Sequence, residues 1–393
     1  MSRLRRAAGP LFGLHQLHAM RVGTVRVMTA GKRGGGEEGK QKDGGEAPQL
    51  SLLPRFPASP LDLPVLDQRA RGTTFIRLPV RSVLNNPAST GMGFWSINPY
   101  VGCEFGCTYC YARDTHRWVM ERADGRTAGQ ADRLPPEEAF EKEILVKTDV
   151  AEVLARTLKP AQVAGHTLVI GTATDPYQPA ERQFRLTRRI LEVLRSYHGL
   201  SIGIITKSAL ITRDLDVLQL LSERNEVTVN ISLATADARL ARRLELRSPV
   251  PSARLRALRR LTEGGVYAGL LVAPIIPGVT DDWAGLARLI EAAKEAGARY
   301  VVGSALRLGP AARHRFLPLL EQEFPELAER YRRHYAGKDH VSQSYQDALT
   351  RRLRALQQAY GFPVDEGMRR RRQLEGRSPR KSAATSDEQA ILL

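Results

Sequence analysis

The chain of 393 residues is 42% hydrophobic and 26% charged, with 59 Lys and Arg against 42 Asp and Glu and a net charge of +17. This is the composition of a globular protein long enough for one large core or two smaller ones. No apolar run approaches the roughly 18 residues that a membrane-spanning helix needs, and three cysteines exclude a disulfide framework. We therefore expect an intracellular, cytoplasmic protein with no membrane segment.

The positive charge is unevenly distributed along the chain. Residues 1–50 contribute +5 and residues 369–393 contribute +4, which leaves +8 for residues 51–368. We predict a disordered basic N-terminal extension over 1–50 and a disordered basic tail over 367–393. The first 35 residues, which lack acidic side chains, also resemble an organelle transit peptide. The remaining excess of positive charge keeps nucleic acid open as a partner.

After a lead-in segment over 51–92, short apolar, β-branched runs alternate with helical patterns. Six strands are predicted, at Phe94–Val101, Thr167–Ala173, Leu200–Thr206, Glu226–Leu233, Tyr267–Ala273 and Tyr300–Leu306. Four of the gaps carry helical patterns, at Arg185–Tyr197, Arg213–Glu223, Ser252–Gly264 and Asp282–Ala296. Beyond Gly309 the pattern is purely helical, with helices predicted at Ala311–Leu320, Pro325–Ala336 and Tyr345–Tyr360.

This alternation predicts an α/β fold with a parallel sheet and right-handed crossovers. Six strands are too few for the closed eight-stranded barrel. We therefore predict a partial (β/α)6 TIM-like barrel over 93–308, followed by a helical C-terminal layer over 309–366. In such a fold the functional groups gather at the carboxyl ends of the strands.

All three cysteines lie within eight residues, Cys103-Glu-Phe-Gly-Cys107-Thr-Tyr-Cys110, directly after the first predicted strand. Buried free thiols are common singly, but three in one loop indicate a metal site. Structural zinc takes four ligands, and His116 could be the fourth. An iron–sulfur cube is also held by thiolates, and three of them leave one iron open to an external ligand. The lack of a fourth cysteine favours the cube.

The spacing C-x3-C-x2-C, with the aromatic Tyr109 before the last cysteine, resembles the radical S-adenosylmethionine (SAM) superfamily. The resemblance extends over roughly residues 95–310 and is greatest to the branch related to spore photoproduct lyase. Four further runs carry it: Ser96–Cys103 (SINPYVGC), Gly171–Tyr177 (GTATDPY), Thr206–Ser208 (TKS) and Val272–Gly278 (VAPIIPG).

The resemblance implies one [4Fe–4S] cluster on Cys103, Cys107 and Cys110, which are then both the metal ligands and the catalytic residues. It implies that SAM binds the open iron through its methionine amino and carboxylate groups. One electron then cleaves SAM to methionine and a 5′-deoxyadenosyl radical, which abstracts hydrogen from a substrate. An electron donor such as flavodoxin or ferredoxin is the implied partner, and the protein supplies orientation and exclusion of water.

Residues at the strand ends are candidate contacts to SAM. Thr172, Thr174 and Asp175 end the second strand, where hydroxyl and carboxylate groups could bind the amino group of SAM. The alternative for this segment is a simple turn, because Asp-Pro pairs commonly form turns. Lys207 follows a buried strand and could pair with the SAM carboxylate as a point charge, or extend to solvent.

The resemblance adds three more candidate contacts. It implies that Ser232 gives a second contact to the carboxylate, that the adenine rests near Tyr109, and that Tyr111 touches the cofactor. For both tyrosines the alternative is packing that seals the cluster from water. Spore photoproduct lyase uses a further cysteine as its hydrogen donor, and none remains here. The same reaction would need another donor, such as Tyr177.

Three functions are consistent with these residues. The first is a radical SAM enzyme, lyase-like, that acts on a nucleic-acid base in a reaction of DNA-repair type. The second is a radical SAM enzyme that modifies a protein or a metabolite. The third is a non-catalytic protein that binds zinc through the three cysteines and His116 and recognises nucleic acid.

Overall fold

The computed structural model describes residues 63–69, 72–90, 93–116 and 134–364, in which eleven strands and thirteen α-helices form. The predicted extension over 1–50 and the predicted tail over 367–393 lie outside the described residues. The strands are β1 Val65–Gln68, β2 Thr74–Arg77, β3 Leu84–Asn85, β4 Trp95–Ile97, β5 Tyr100–Val101, β6 Glu143–Val146, β7 Thr167–Ile170, β8 Ser201–Thr206, β9 Glu226–Ser232, β10 Ala268–Ile275 and β11 Val301–Ala305. The helices are α1 Pro87–Thr90, α2 Pro136–Lys142, α3 Val150–Thr157, α4 Pro160–Val163, α5 Glu181–Phe184, α6 Leu186–Leu194, α7 Leu215–Ser222, α8 Ala238–Leu244, α9 Pro251–Glu263, α10 Trp283–Glu295, α11 Pro310–Glu323, α12 Pro325–Tyr335 and α13 Gln343–Ala359.

The larger sheet has seven strands in the order β11-β10-β9-β8-β7-β4-β3. Six of these strands pair in parallel with their neighbours: β4, β7, β8, β9, β10 and β11. Strand β3 pairs antiparallel with β4. Parallel strands covered by helices read as continuous apolar runs, and the sheet shows this at its centre. Val229 pairs with Ile204 on one side and Ala268 on the other, and all three are fully buried.

The described strands form an open sheet. Strands β11 and β3 are its two outermost strands, and no pairing among the described residues joins them. The mixed α/β class and the six parallel strands predicted from the sequence are therefore present. The carboxyl ends of β7 to β11 lie along one edge, where functional groups gather in folds of this kind.

The predicted strand Phe94–Val101 is wrong as a single element. It divides at Asn98 and Pro99 into β4, which joins the larger sheet, and β5, which pairs antiparallel with β6. Pro99 has no N–H to donate to a ladder, so a strand readily ends there. Strand β5 belongs to a second sheet in the order β1-β2-β6-β5, which the sequence analysis did not predict.

The predicted helical region after Gly309 is present as α11, α12 and α13. Buried side chains of α11 and α12, among them Phe316 and Tyr331, pack in one apolar cluster with Cys103 and Cys107. The Tyr331 hydroxyl donates a hydrogen bond to the carbonyl of Pro277, in the loop after β10 (2.6 Å). These helices therefore support the cysteine segment from outside the sheet. In the part of the chain that the structure describes, no helix is long and apolar enough to cross a membrane.

Candidate active site

The three cysteines lie in a loop over residues 102–110, here called the cysteine loop, which follows β5. Cys103 and Cys107 are buried, Cys110 is partly buried, and none of the three is in a disulfide. Backbone hydrogen bonds tie the loop to distant segments. The Cys103 N–H donates to the carbonyl of Phe140 (2.8 Å), and the Thr108 N–H donates to that of Leu244 (3.0 Å).

Gly106 is required at the middle of the loop. Its φ is +63°, in the left-handed region that favours glycine. An added Cβ would also lie 2.8 Å from Glu141 Oε2 and 3.0 Å from Arg247 Nη2. The middle of the loop therefore packs closely against Glu141, in α2, and Arg247, in the segment after α8.

The fully buried Arg113 is hydrogen-bonded to the backbone of the cysteine loop. Arg113 donates from Nη2 (2.7 Å) and from Nε (3.2 Å) to the carbonyl of Cys107, and from Nη2 to Glu141 Oε1 (2.5 Å). Glu141 also accepts from Arg247 (2.8 Å) and Arg315 (3.1 Å). Burial alone would raise the pKa of Glu141, but the arginines, Arg113 foremost, outweigh it and lower that pKa. The carboxylate therefore stays charged.

The segment after β7 lies beside the cysteine loop, as the sequence predicts. Thr174 Oγ1 donates to the carbonyl of Gly102 at the start of the loop (2.6 Å). Thr172 Oγ1 accepts from the side-chain amide of Asn98 (3.2 Å), in the turn between β4 and β5. Both threonine hydroxyls are thus buried and paired within the protein.

Asp175 is buried and joins the ends of β7 and β8. Its Oδ1 accepts from the Thr206 hydroxyl (2.6 Å) and the Tyr177 N–H (2.9 Å), and its Oδ2 accepts from the Lys207 N–H (2.7 Å). Burial, which is the largest effect, raises the pKa of Asp175 despite these hydrogen bonds. The carboxylate thus fixes the backbone of Lys207, and the turn and ligand interpretations of this segment are compatible.

The Lys207 ammonium lies at the centre of a buried polar cluster. It donates to Glu245 Oε1 (2.9 Å), Ser232 Oγ (3.1 Å) and the hydroxyl of Tyr109 (3.1 Å). The Tyr109 hydroxyl in turn donates to Glu245. The structure thus brings together three predicted site residues, from the cysteine loop, β8 and β9, at the carboxyl edge of the sheet.

Glu245 completes this cluster and was missed by the sequence analysis. It also accepts hydrogen bonds from Arg254 and from the Ser248 hydroxyl (2.8 Å). Burial would raise the pKa of Glu245, but Lys207 and Arg254 lower it far more. Lys207 and Arg254 thus both face this carboxylate, and Asp175 is a second acidic group near Lys207. The only local signal is an acidic residue between two leucines, Leu244 and Leu246, which on its own predicts little.

Tyr111 lies at the exposed side of the cysteine loop. Its hydroxyl donates to the carbonyl of Thr172, and the guanidinium of Arg307 lies 5.9 Å from the centre of its ring. Tyr111 is among the exposed large hydrophobic residues, whereas Tyr109 is buried. The two tyrosines that flank Cys110 therefore face different surroundings.

Two further candidates from the sequence are buried side chains. Tyr177 is fully buried in the main apolar core, where Asp214 and Glu181 are the anionic groups near its hydroxyl. His116 is buried with its ring 5.9 Å from that of Phe140, edge to face. Among the described residues, no three His, Cys, Asp or Glu side chains are arranged to hold a metal ion. This holds for the three cysteines alone as well as for the cysteines with His116, whose two ring nitrogens are buried without a hydrogen-bond partner in the described part of the chain.

The three thiols have the chemistry of a cluster site. Burial is the largest effect that raises the pKa of Cys103 and of Cys107, followed by nearby Asp175 for the first and Glu245 for the second. Protonated thiols of this kind become thiolates when cationic iron binds them. The chain has no fourth cysteine, so the residues present fit an iron–sulfur cube with one open iron.

Comparison with known proteins agrees with this geometry. Residues 97–300 match the family model described as the Radical SAM superfamily. The uncharacterized protein Rv2578c of Mycobacterium tuberculosis is 33% identical over 296 residues, which is 75% of this chain and 83% of that protein. An uncharacterized protein of Methanocaldococcus jannaschii is 29% identical over 196 residues, 50% of this chain and 66% of that protein.

Solved structures of spore photoproduct lyase are similar in fold. One mutant form gives a TM-score of 0.52 at 15% identity, over 73% of this chain and 79% of that one. A second mutant form, which carries bound AdoMet and dinucleoside spore photoproduct, gives a TM-score of 0.50 at 16% identity with the same coverage. At this level of identity the likeness concerns the fold.

Proposed function

This chain belongs to the radical SAM superfamily, and we propose that it reductively cleaves SAM at a [4Fe–4S] cluster held by Cys103, Cys107 and Cys110. The observation that carries the proposal is the cysteine loop itself. It carries three free thiols within eight residues, beside the carboxyl edge of a parallel sheet, and the chain has no fourth cysteine. When bound, the cluster supplies the electron that cleaves SAM to methionine and a 5′-deoxyadenosyl radical, which abstracts hydrogen from the substrate.

The residues around the loop have separate tasks in this proposal. The Lys207 ammonium is the group that meets the SAM carboxylate, and the Ser232 hydroxyl positions it by accepting its hydrogen bond while donating to the carbonyl of Ala273. Asp175 fixes the backbone position of Lys207. Buried Tyr109 and Arg113 exclude water from the loop and hold it in place.

The six parallel strands support a finer description of the fold. We propose that they curve into the partial (β/α)6 barrel expected from the sequence, with the cysteine loop at its carboxyl end. The likeness in fold to spore photoproduct lyase supports this description. The helices α11 to α13 then form the predicted C-terminal layer.

For the substrate, we propose a nucleic-acid base, which makes the enzyme lyase-like. Support comes from a shallow surface groove, here called the basic groove, whose lining holds four basic side chains and no acidic one. It is lined by Arg330, Arg333, His334, Gly337 and Lys338. Such a groove suits a phosphate backbone, which is recognised chiefly by Lys and Arg.

A line of contacts leads from the basic groove towards the cysteine loop. His334 Nε2 lies 3.0 Å from the carbonyl of His340. His340 pairs through an isolated bridge with Arg307, which lies over the Tyr111 ring beside Cys110. A nucleic acid bound in the groove would therefore have a further cationic contact close to the reacting centre.

The decisive experiment is anaerobic. The full chain is reconstituted with iron and sulfide, reduced with dithionite and given SAM, and 5′-deoxyadenosine and methionine are measured by mass spectrometry. We expect both products, and none from the Cys107→Ala variant. A colourless protein that holds stoichiometric zinc and cleaves no SAM would instead support the zinc-binding alternative.

The substrate class needs its own measurement. We expect the full chain to bind thymine-containing DNA with an affinity that falls steeply as salt rises. The pair Arg330→Gln and Lys338→Gln should weaken binding, whereas Arg224→Gln and Arg299→Gln should not, because these exposed residues precede β9 and β11 at the opposite edge of the sheet. Equal binding by both pairs would direct the search to proteins and metabolites.

A further inference from the structure

We propose that an acidic one-electron carrier protein docks on three arginines that cover the outer side of the cysteine loop. These residues, Arg69, Arg247 and Arg315, are here called the arginine face. The inference rests on the proposed function, because only a redox cluster in the loop would need an electron delivered there. It goes further in assigning the surface at which the donor binds.

The arginine face carries an excess of positive charge among the described residues. Arg69 pairs with Glu104 (3.1 Å), while Arg247 (2.8 Å) and Arg315 (3.1 Å) pair with Glu141. With buried Arg113 on the same Glu141, four guanidinium groups meet two carboxylates. Two positive charges are therefore left over at this position.

All three arginines of the face are accessible. Their side chains are 38%, 34% and 35% exposed for Arg69, Arg247 and Arg315, whereas those of Glu104 and Glu141 are 8% and 10% exposed. In each pair the arginine is thus the accessible partner and the carboxylate is covered. A partner that approaches this side meets positive charge first, which suits an acidic surface.

The arginine face also lies against the cysteine loop itself. The Arg247 N–H donates to the carbonyl of Phe105 (3.0 Å), and Arg247 Nη2 would be 3.0 Å from a Cβ at Gly106. Glu104, Phe105 and Gly106 are the residues between Cys103 and Cys107. A carrier docked here would therefore lie against the residues that join two of the three cluster ligands.

The contacts of Lys207 lie with other residues. Its ammonium bonds Glu245, Ser232 and Tyr109, and it contacts none of the three arginines. The donor surface is therefore separate from the residues proposed to bind SAM. A small interface steered by charge is typical of transient electron-transfer encounters.

The test compares two reductants on two pairs of substitutions in the full, reconstituted chain. Arg247→Gln with Arg315→Gln removes two charges of the face and leaves Arg113 on Glu141. Arg224→Gln with Arg299→Gln removes two exposed charges at the opposite edge of the sheet. Cluster reduction is followed by anaerobic stopped-flow absorbance, with either reduced flavodoxin or dithionite, and flavodoxin affinity is measured by NMR titration of labelled flavodoxin.

We expect the Arg247/Arg315 pair to slow reduction by flavodoxin roughly tenfold at low salt and to weaken flavodoxin binding by a similar factor. Reduction by dithionite should not change, and the Arg224/Arg299 pair should match the wild type with both reductants. High salt should abolish the difference between the pairs, since it screens exposed charges.

Several results would overturn the inference. Unchanged flavodoxin binding and reduction in the Arg247/Arg315 pair would do so, as would an equal loss with dithionite, which indicates a structural role. Loss of DNA binding in place of flavodoxin binding would assign the face to the substrate. If the wild type with dithionite forms no 5′-deoxyadenosine, the proposed function fails first, and that failure is recognised separately.

Discussion

The Lys207 ammonium lies 2.9 Å from Glu245 Oε1, and both side chains are largely buried. The sequence marked the lysine as a candidate contact for the cofactor carboxylate and gave no indication of the glutamate. Together with Arg254 on the other carboxylate oxygen, they form a charged triad inside the protein. Within this triad, the Lys207 ammonium is the group proposed to meet the carboxylate of SAM.

The triad predicts a large loss of stability for Glu245→Gln. This substitution leaves Lys207 and Arg254 buried without their anion, which typically costs about 3–5 kcal/mol. Urea unfolding of the full chain measures it. The control is Glu323→Gln, because Glu323 pairs with Arg243 at a more exposed position, where a loss of roughly 0–1 kcal/mol is expected. Equal losses in the two variants would contradict the buried triad.

Lys207→Met should weaken SAM binding while iron content stays at the wild-type level, because it removes the charge and none of the thiols. Binding is measured anaerobically by isothermal titration of the reconstituted protein with SAM. Lys142→Met is the matched control, since Lys142 forms only an exposed pair with Glu138. Unchanged SAM affinity in the Lys207 variant would leave this lysine a purely structural role.

Cys107→Ala should abolish cluster assembly, because two thiolates cannot hold the cube. His116→Phe should retain the full iron content, because the proposed cube uses only the three thiolates and a phenyl ring can keep the packing against Phe140. Iron and zinc are measured by mass spectrometry after anaerobic reconstitution. A wild-type iron content in the cysteine variant would contradict the ligand assignment. A reduced metal content in the histidine variant would support the zinc alternative.

Gly106→Ala should destabilise the protein and reduce its iron content. The left-handed backbone costs an alanine about 1–2 kcal/mol, and the new Cβ, 2.8 Å from Glu141 Oε2, adds about 1–3 kcal/mol of overpacking. Gly165→Ala isolates the backbone cost, because Gly165 has φ +74° and nothing within 4 Å of its Cβ position. If the unfolding free energy falls by the same amount in both variants, Glu141 does not crowd position 106.

Burial lowers the pKa of His116 from 6.5 to about 4, so stability should fall as the medium becomes acidic. Between these values the unfolded chain binds a proton that the folded chain does not, and the loss approaches about 3 kcal/mol near pH 4. The difference in unfolding free energy between wild type and His116→Phe, measured at pH 7 and pH 4.5, isolates this contribution. His314→Phe, at a side chain that is 73% exposed, should leave it in place. If the unfolding free energy of the wild type changes with pH by the same amount as that of His116→Phe, the assignment of this pH dependence to His116 is wrong.

Local patterns were sufficient for much of the fold. Apolar runs such as Leu200–Thr206 gave the parallel strands, because a strand buried on both faces needs little beyond its own composition. The short strands of the second sheet could not be predicted in this way. Strand β5 has only two residues, Tyr100 and Val101, and it depends on β6, more than forty residues later, for its pairing.

The same distinction between local and distant information applies to the candidate site. The cysteines and Lys207 were predicted because their spacing within a short segment, or their position after a strand, is informative by itself. Glu245 and Glu141 join the site through partners that include residues far along the chain, such as Tyr109 and Arg315. That SAM contacts Thr172, Thr174, Asp175 and the other candidates at the strand ends stays a prediction.

The way the cysteine loop is held has a consequence for biosynthesis. Its contacts come from Phe140 in α2, from Leu244 and Arg247 after β9, and, through Glu141, from Arg315 in α11. A growing chain presents the three thiols long before these segments leave the ribosome, and domains fold only as their parts emerge. The nascent loop is therefore not yet enclosed, and the complete surroundings of the three thiols exist only after the chain has been made as far as Arg315. Cells that make this protein under oxygen would have to protect three exposed thiols during that interval.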